Sequence, residues 1–595
     1  MTRSIRRSLC AGVACIILAV TPFTLAASPG AAGPARRAEK LDTALQQAGT
    51  SGLQTVPVIV KADPAARNTV RKALKDLGFK LKREHGGISA FSFTAPVGML
   101  DRIAAIPGVL GVSMDAEIGG DLLDLVTTVP TTSGTLLRDT LGLNNVSVTG
   151  KGVTVAVIDS GIAPVADFGT RIKAFYDFTR GGIATTPYDD NGHGTHVAGL
   201  IGGSGVSSYG YYRGVAPSVS FVGLKVLTGA GGGSTSNLIA AVEFATANKA
   251  TLGIDIINLS LGHPPYESAA LDPLVQAVQA ASQAGILVVS SAGNNGINKA
   301  TGLPGFGGIS SPGNAPSSLT VGSERVEGTK RRSDDTVGAW SSRGPTWYDG
   351  YVKPDIIAPG HKMVAPAAPF STLVLNNPTL LLSGSKYLTL TGTSMSAGVV
   401  SGLAALVIEA NRTAFPGGRP LTPNAIKTIF EYTAFAMHDA TGQPVSRLIQ
   451  GAGMINGVGA IKLAKVINPS ATTAAARLTG WVEPSDWLDE RLSWAQNIIW
   501  GDNVIWGDNL LWGDNVIWGD NIVWGENIVW GENIVWGENL IWGENIVWGE
   551  NIVWGENIVW GENLIWGENF LDDSDAPVVP SDPEPTSDAV APETF

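Results

Sequence analysis

The chain has 595 residues and a formal net charge of −12; that length excludes one compact core and calls for two or more folded units. Hydrophobic residues make up 44%, which excludes a chain too polar to fold. The charge is divided: residues 481–595 hold 23 acidic side chains and one basic, while the remainder carries +10 with no Lys/Arg cluster or interleaved aromatics, which argues against nucleic acid as a partner.

Arg3, Arg6 and Arg7 precede an apolar run over 9–20, and Thr24, Leu25 and Ala26 offer a cleavage point. A secretory signal over 1–26 is expected, with no membrane span, because the run is short and Pro22 and Pro29 follow it. Both cysteines, Cys10 and Cys15, fall inside that signal. The exported protein would therefore have neither disulfide nor thiol and would depend on packing or bound ions.

A small-residue spacer (27–54) leads to a change of texture at 55–118. There an apolar run at 56–60, a helical pattern at 64–77, a strand at 88–94, a second helix at 96–106 and a strand at 109–114 predict a small α+β domain. Residues 119–139 carry no strong pattern. From Gly152 onward the rhythm is α/β: strands at 153–158, 254–258 and 286–290 alternate with helices at 195–201, 236–248 and 271–284. That alternation predicts a mostly parallel sheet with helices on both faces and active residues at the carboxyl ends of its strands. Two later helices follow, one from Ser394 to about 411, the other capped by Thr422 with Pro423 at its first position. This unit spans 140–466, and 467–494 reads as a linker.

Residues 495–570 hold twelve hexads of the form Trp-Gly-(Asp/Glu)-Asn-apolar-apolar, with twelve of the seventeen tryptophans. A helix is excluded, since six residues advance 600 degrees and each unit contains Gly and Asn. Six is a multiple of two, so a β arrangement repeats the same in/out assignment in every unit. A solenoid with turns at Gly-(Asp/Glu)-Asn, three hexads to a coil, buries more than a flat sheet. A disordered array and a surface-polymer anchor are the other two readings. The closing segment 571–595 is rich in Pro, Asp and Ser and is expected to be disordered.

Four stretches occur in one order: "VTVAVIDSGI" with Asp159, "DDNGHGTHVAG" with His193, "VVSSAGNNG" with Asn294 and "LTGTSMSAG" with Ser394. Amide hydrolysis needs a nucleophile, a base, a group that orients the base and donors for an oxyanion. Ser394 opens a helix, so its backbone N–H points where an oxyanion would form. The His193 imidazole can accept and return a proton near neutral pH. Asp159, ending a strand, is placed to take the imidazole N–H, and the Asn294 side chain to supply the second oxyanion donor. His193 and His196 also invite a zinc reading, but the pair lacks a third ligand and no His-Glu-x-x-His pattern is present. No metal site is assigned.

Together the four stretches resemble the subtilisin-like serine proteases, or subtilases, and among them a bacterial branch. "GVAPSVSFVGLKVL" (214–227), "INLSLG" (257–262), "WSSRGP" (340–345) and "VKPDIIAPG" (352–360) extend the similarity across about 140–465. The resemblance implies a subtilisin-like α/β fold and a secreted serine endopeptidase acting on polypeptides, with Asp159, His193 and Ser394 as triad and Asn294 in the oxyanion hole. It further implies that 55–118 is a ferredoxin-like prodomain, an intramolecular inhibitor released by a cut between Ile118 and Thr135. Gly231, Gly232 and Gly233 would pair the substrate backbone as an added strand. Ser260, Leu261 and Gly262, with Ser291, Ala292 and Gly293, would wall the primary specificity pocket. Those walls carry no acid, so an apolar or aromatic residue is expected before the scissile bond.

Three departures from the family pattern stand out. Gly398 and Val399 follow the nucleophile where Pro and His are usual, and His263 follows "SLG" where a Gly-rich segment is common. The segment "LIGGSGVSSYGYY" (200–212) lacks the oxygen side chains of the strong family calcium site, leaving Asp167 as a partial ligand. No cofactor is expected for catalysis. The rival reading is a surface-associated interaction protein whose repeat tail is the main function, self-associating or binding a cell-surface component, while the protease serves maturation.

Overall fold

The structure, a computed structural model, describes residues 40–48, 53–120, 136–382, 386–439 and 443–470, the single positions 51 and 384, and the strands of the repeat between 498 and 572. The expected signal peptide, most of the processing segment and linker, and nearly all of 571–595 lie outside the described residues.

In the N-terminal unit, strands β1 (Thr55–Ala62), β2 (Arg83–His85), β3 (Ala90–Pro96) and β4 (Val109–Met114) form an antiparallel sheet in the order β2-β3-β1-β4. The helices Arg67–Asp76 and Leu100–Ala104 complete it, and Val58, Val60, Val70, Leu74, Phe91 and Phe93 share its core. β2 escapes sequence reading because Arg-Glu-His has no apolar alternation; pairing with β3 makes it a strand. The helix Thr43–Ala48 sends Leu45 and Ala48 into the same core, so the unit begins inside the segment read as a spacer.

The chain then leaves this unit as β5 (Glu117–Gly120). The larger unit contains β6 (Thr154–Asp159), β7 (Ile172–Asp177), β8 (Ile183–Ala184), β9 (Ser220–Lys225), β10 (Gly232–Ser234), β11 (Ile254–Leu259), β12 (Leu261–Gly262), β13 (Leu287–Ser291), β14 (Leu319–Arg325), β15 (Thr336–Val337) and β16 (Ile356–Pro359). Its main sheet runs β15-β14-β13-β11-β6-β9-β7-β8, with β16 also on β14. The pairings from β14 across to β7 are parallel.

β6 is buried along its whole length. Val155 and Val157 face a core shared with the His193–Gly202 and Thr393–Ala414 helices; Ala156 and Ile158 face the Thr235–Ala247 and Pro273–Gln283 helices. This period of two, apolar on both sides, is what a strand covered on both faces requires. The Thr393–Ala414 helix is apolar enough to cross a membrane, yet 94% of that stretch is buried inside the fold. Gly398 lies where this helix meets its neighbour: a Cβ there would stand 3.3 Å from the Val197 carbonyl oxygen. Close helix contact thus accounts for a residue that otherwise weakens a helix.

The repeat strands pair in parallel register 18 residues apart, Trp506 with Trp524, Trp524 with Trp542 and Trp542 with Trp560. The other strands follow the same spacing, so that three hexads advance the backbone by one layer in three sheets.

The two folded units dock through an apolar patch, in which Ile59, Ile88 and Ala90 join the core cluster of Leu238 and Val242, and through polar contacts. Thr43 donates its backbone N–H and hydroxyl to the Tyr266 carbonyl (3.0 and 2.8 Å). Gly87 N–H donates to Glu243 at 2.7 Å, and Ser236 donates backbone and hydroxyl to Asp115, both at 2.7 Å. Beside them, burial pushes the Asp42 carboxyl up to about 6, helped by Asp272, and that of Glu267 up to about 8, again with Asp272 contributing. Both groups therefore hold their protons more tightly when docked than when exposed. Docking should be fully supported below the ordinary carboxylate range and weaken as pH rises through about 4 to 8. Thermal unfolding of the Ser394→Ala chain, which keeps both units in one polypeptide, is expected to show the N-terminal unit losing stability between pH 5 and pH 9. Asp42→Asn with Glu267→Gln should flatten that dependence.

Candidate active site

The carboxyl end of β6 delivers Asp159, which has no exposed surface. Its Oδ1 accepts the Ser160 backbone N–H at 2.6 Å and lies 2.7 Å from His193 Nδ1. An N–H at Nδ1 directed at a carboxylate leaves Nε2 as the proton-accepting end of the imidazole. The Asp159 carbonyl is held by Val226 N–H at 2.8 Å and Leu227 N–H at 3.3 Å, so the backbone on both sides of the side chain is fixed.

His193 opens the His193–Gly202 helix. The helix approaches the Asp159 turn so closely that a Cβ at Gly194 would lie 2.2 Å from the Gly161 carbonyl. Asp189 organises the loop before it. One carboxylate oxygen accepts from Ser160 Oγ (2.9 Å), Asn191 N–H (3.2 Å) and Gly192 N–H (2.8 Å); the other accepts from Thr195 N–H (2.8 Å) and Thr195 Oγ1 (2.6 Å). Burial nonetheless pushes this carboxyl above its ordinary range. Ser160 Oγ accepts Gly194 N–H at 2.9 Å, closing the link between the two turns. Sequence reading missed Asp189, although an acid shortly before a helix start is a capping signal.

The second histidine has another task. Burial pushes His196 down to about 3, and its Nε2 faces the carbonyls of Met363 (3.1 Å) and Leu388 (3.0 Å). It is a neutral pin between the helix and the segment behind it.

Ser394 lies in the first turn of the Thr393–Ala414 helix. Its hydroxyl donates to the Ser260 carbonyl at 3.0 Å, and Ser260 Oγ donates back to the Ser394 carbonyl at 2.9 Å. The nucleophile candidate and the first wall residue are thereby one unit. Asn294 accepts from the Thr393 N–H (3.1 Å) and hydroxyl (3.2 Å), which turns the opposite, NH2 end of its amide away from Thr393. Behind the two walls runs a segment that sequence reading missed. A Cβ at Gly262 would meet the Ser311 carbonyl at 2.4 Å, one at Gly293 would meet Ser310 Oγ at 2.4 Å, and one at Gly313 would meet the Ser291 carbonyl at 2.7 Å. Ala292 is buried, tied to Val321 and Ser310. His263 pairs its backbone with Ser311 and stacks on Tyr266 at 5.6 Å.

β5 lies between β10 and β12 in an antiparallel three-stranded sheet. Gly232 and Gly233 pair with Gly119 and Ile118, while Leu261 and Gly262 pair with Gly120 and Gly119. Gly231 precedes with φ of +86°, which turns the chain into the pairing strand. Ile118 is fully buried in the cluster of Leu227, Leu238 and Leu261, and a Cβ at Gly120 would lie 3.4 Å from the His193 ring. A strand laid along these glycines therefore ends at the imidazole.

Residues 150–453 match the model of the subtilase family. The chain is 40% identical over 318 residues to serine protease AprX of Bacillus subtilis (strain 168), covering 53% of this chain and 67% of that protein. It is 36% identical over 268 residues to M-protease of Shouchella clausii (strain KSM-K16), covering 45% of this chain and 57% of that one, so it spans little more than half of some relatives it matches. In structure it is similar to fervidolysin of Fervidobacterium pennivorans, a keratinolytic enzyme related to subtilisin, with a TM-score of 0.52 and 20% identity over 70% of this chain and 62% of that one. That likeness concerns the fold alone.

Proposed function

The chain belongs to the subtilase family, and on that premise we propose that it is a secreted serine endopeptidase, made as a self-processing zymogen, which cuts polypeptides through an acyl-enzyme. The observation that carries this reading is β5, a strand of the chain's own N-terminal unit lying in the glycine-edged groove and ending beside His193. A polypeptide substrate would add to the same edges as an extended strand.

In the reaction His193 Nε2 takes the proton of Ser394 Oγ as that oxygen attacks the scissile carbonyl. Asp159 holds the imidazole by its Nδ1–H and stabilises the cation that forms. The oxyanion is received by the Asn294 amide and the Ser394 backbone N–H. The imidazolium then protonates the leaving amine, and a water molecule, deprotonated in turn by His193, releases the acyl group. Since Gly120 stands next to His193, the bond cut in maturation lies just beyond it, within the expected 118–135. The walls at Ser260, Leu261, Gly262, Ser291, Ala292 and Gly293 favour an apolar or aromatic residue before the cut.

The reading includes no cofactor, and the residues at the family's calcium position do not fit a cation. Asp167, buried, has Oδ1 engaged by Gly205 N–H and the Tyr387 hydroxyl, both at 2.8 Å. The Arg171 guanidinium donates to the carbonyls of Asp167 (2.5 Å), Gly202 (2.7 Å) and Val219 (3.1 Å). Donors and a positive charge thus occupy the place where a cation needs oxygens. Burial, with Asp167 adding to it, pushes the Tyr387 phenol up, so it stays a donor. The repeat is read as a self-associating or surface-binding appendage. Its parallel register stacks like units, and each unit carries one carboxylate.

Three outcomes test the reading. The secreted wild-type chain should be cut between 118 and 135, whereas Ser394→Ala should retain its N-terminal unit by mass spectrometry; an Ala variant still cut in pure form removes Ser394 from the chemistry. Calorimetry of Ser394→Ala should give the same midpoint with and without a chelator, and adding Tyr387→Phe should cost about 1–2 kcal/mol, roughly 2–4 °C. Light scattering of the full chain should rise between pH 7 and pH 4 or with calcium, as carboxylate repulsion is relieved. A chain ended at Gly480 should keep proteolysis but stay clear in that measurement and lose surface retention.

A further inference from the structure

Lys225 ends β9 as the register partner of Asp159, and its side chain is buried at 1% exposure. A buried ammonium is costly unless each of its three protons has an acceptor. Here Nζ donates to the Ser160 carbonyl at 2.6 Å, to Asp190 Oδ1 at 2.6 Å and to the Leu227 carbonyl at 2.7 Å. The three acceptors belong to three different parts of the site. Ser160 follows Asp159 and accepts the Gly194 N–H of the histidine helix. Asp190 belongs to the loop that carries His193, with its carbonyl held by Thr372 N–H at 2.9 Å. Leu227 begins the turn in which Thr228 N–H donates to the Gly232 carbonyl, setting the strand that pairs with β5.

We propose that Lys225 is a positioning residue for peptide-bond hydrolysis, one ammonium that keeps the aspartate turn, the histidine loop and the substrate-pairing edge in a single register. The role rests on the protease reading given above. Neighbouring contacts tighten the same junction, since Asn191 Nδ2 donates to the Gly229 carbonyl at 3.1 Å and Asn191 Oδ1 accepts the His193 N–H at 3.2 Å. A flexible lysine held at three points can transmit a displacement of any one of them to the other two, and misplacement by about 1 Å is enough to slow an enzyme roughly 100-fold. Lys225 also contributes charge. Among the described residues, the titratable groups at this junction include Asp159, Asp189, Asp190, His193 and His196, with Asp177, the register partner of Lys225 on β7, and Tyr188, whose ring lies 5.1 Å from Lys225 Nζ; Asp190 and Lys225 form an ion pair open to solvent on the carboxylate side.

The test uses the mature wild-type enzyme, Lys225→Met, Lys225→Arg and Asp190→Asn, each counted by titration with a phosphonate that labels the active serine. Lys225→Met, per labelled site, should lose about 30- to 100-fold in kcat with a smaller rise in KM from the loosened pairing edge. Its acid limb should move to higher pH, because a positive charge is lost and Asp190 is left to favour the imidazolium. Asp190→Asn, at a half-exposed position whose amide oxygen can still accept from Lys225, should move the limb the opposite way with a smaller loss in kcat. Lys225→Arg should keep the wild-type limb while recovering only part of kcat. A residue that merely stabilised the fold would lower the number of labelled sites and leave both limbs alone. Labelled sites of Lys225→Met working at the wild-type rate, or limbs of Lys225→Met and Asp190→Asn both unmoved, would overturn the proposal. If wild type itself neither reacts with the phosphonate nor cuts peptides, the protease reading fails before this one is reached.

Discussion

A carboxylate without exposed surface persists only where donors meet it, and Asp159 is such a group. Much of the larger unit follows from keeping it there. The strand that carries it must be interior, between β9 and β11, and covered by helices on both faces. The helix bearing His193 must come close enough for a 2.7 Å contact, which leaves no room for a side chain at Gly194. A second buried carboxylate, Asp189, gathers five donors from the turn and the helix start, so the pair is held by polar contacts made in the same buried space. The Thr393–Ala414 helix, apolar through most of its length, closes that space and carries Ser394, itself buried, in its first turn.

The groove beside this pair has backbone as its main feature. Glycines on one edge and the Ser-Leu-Gly wall on the other present peptide groups to whatever extended chain lies between them, and in this structure that chain is β5. Backbone pairing is indifferent to side chains; side-chain contacts along the groove come from the apolar cluster that takes Ile118 and from the small residues backed by Ser310 and Ser311. The N-terminal unit is also fastened outside the strand pairing, at Tyr266, Glu243 and Ser236, and beside these contacts burial raises the Asp42 and Glu267 carboxyls.

The repeat obeys a different constraint. Residues 517–540 and 541–564 differ only in Asp520 against Glu544. Because every hexad is equivalent and strands pair three hexads apart, four more hexads leave each strand on a like partner. Such an array tolerates expansion in a way that the Asp159–His193 junction, fixed by single contacts, does not.

The order Asp159, His193, Asn294, Ser394 was legible in the chain because each residue sits in a short local pattern: a strand end, a helix start or a glycine turn. The same holds for the alternating strands of the N-terminal unit and for the Thr422 cap, whose side chain accepts the Ala425 N–H. β2 was not legible, since Arg-Glu-His becomes a strand only when β3 lies beside it. Nor was the Tyr387–Asp167 contact, made between residues 220 positions apart, or the junction at Lys225, whose acceptors come from three segments. The sequence by itself determined the family, the order of the candidate residues and the local elements, because motifs, periodicity and caps are written within a few residues. Only the tertiary structure decided which buried polar groups satisfy one another, because burial charges that requirement to the whole fold and any distant donor can meet it.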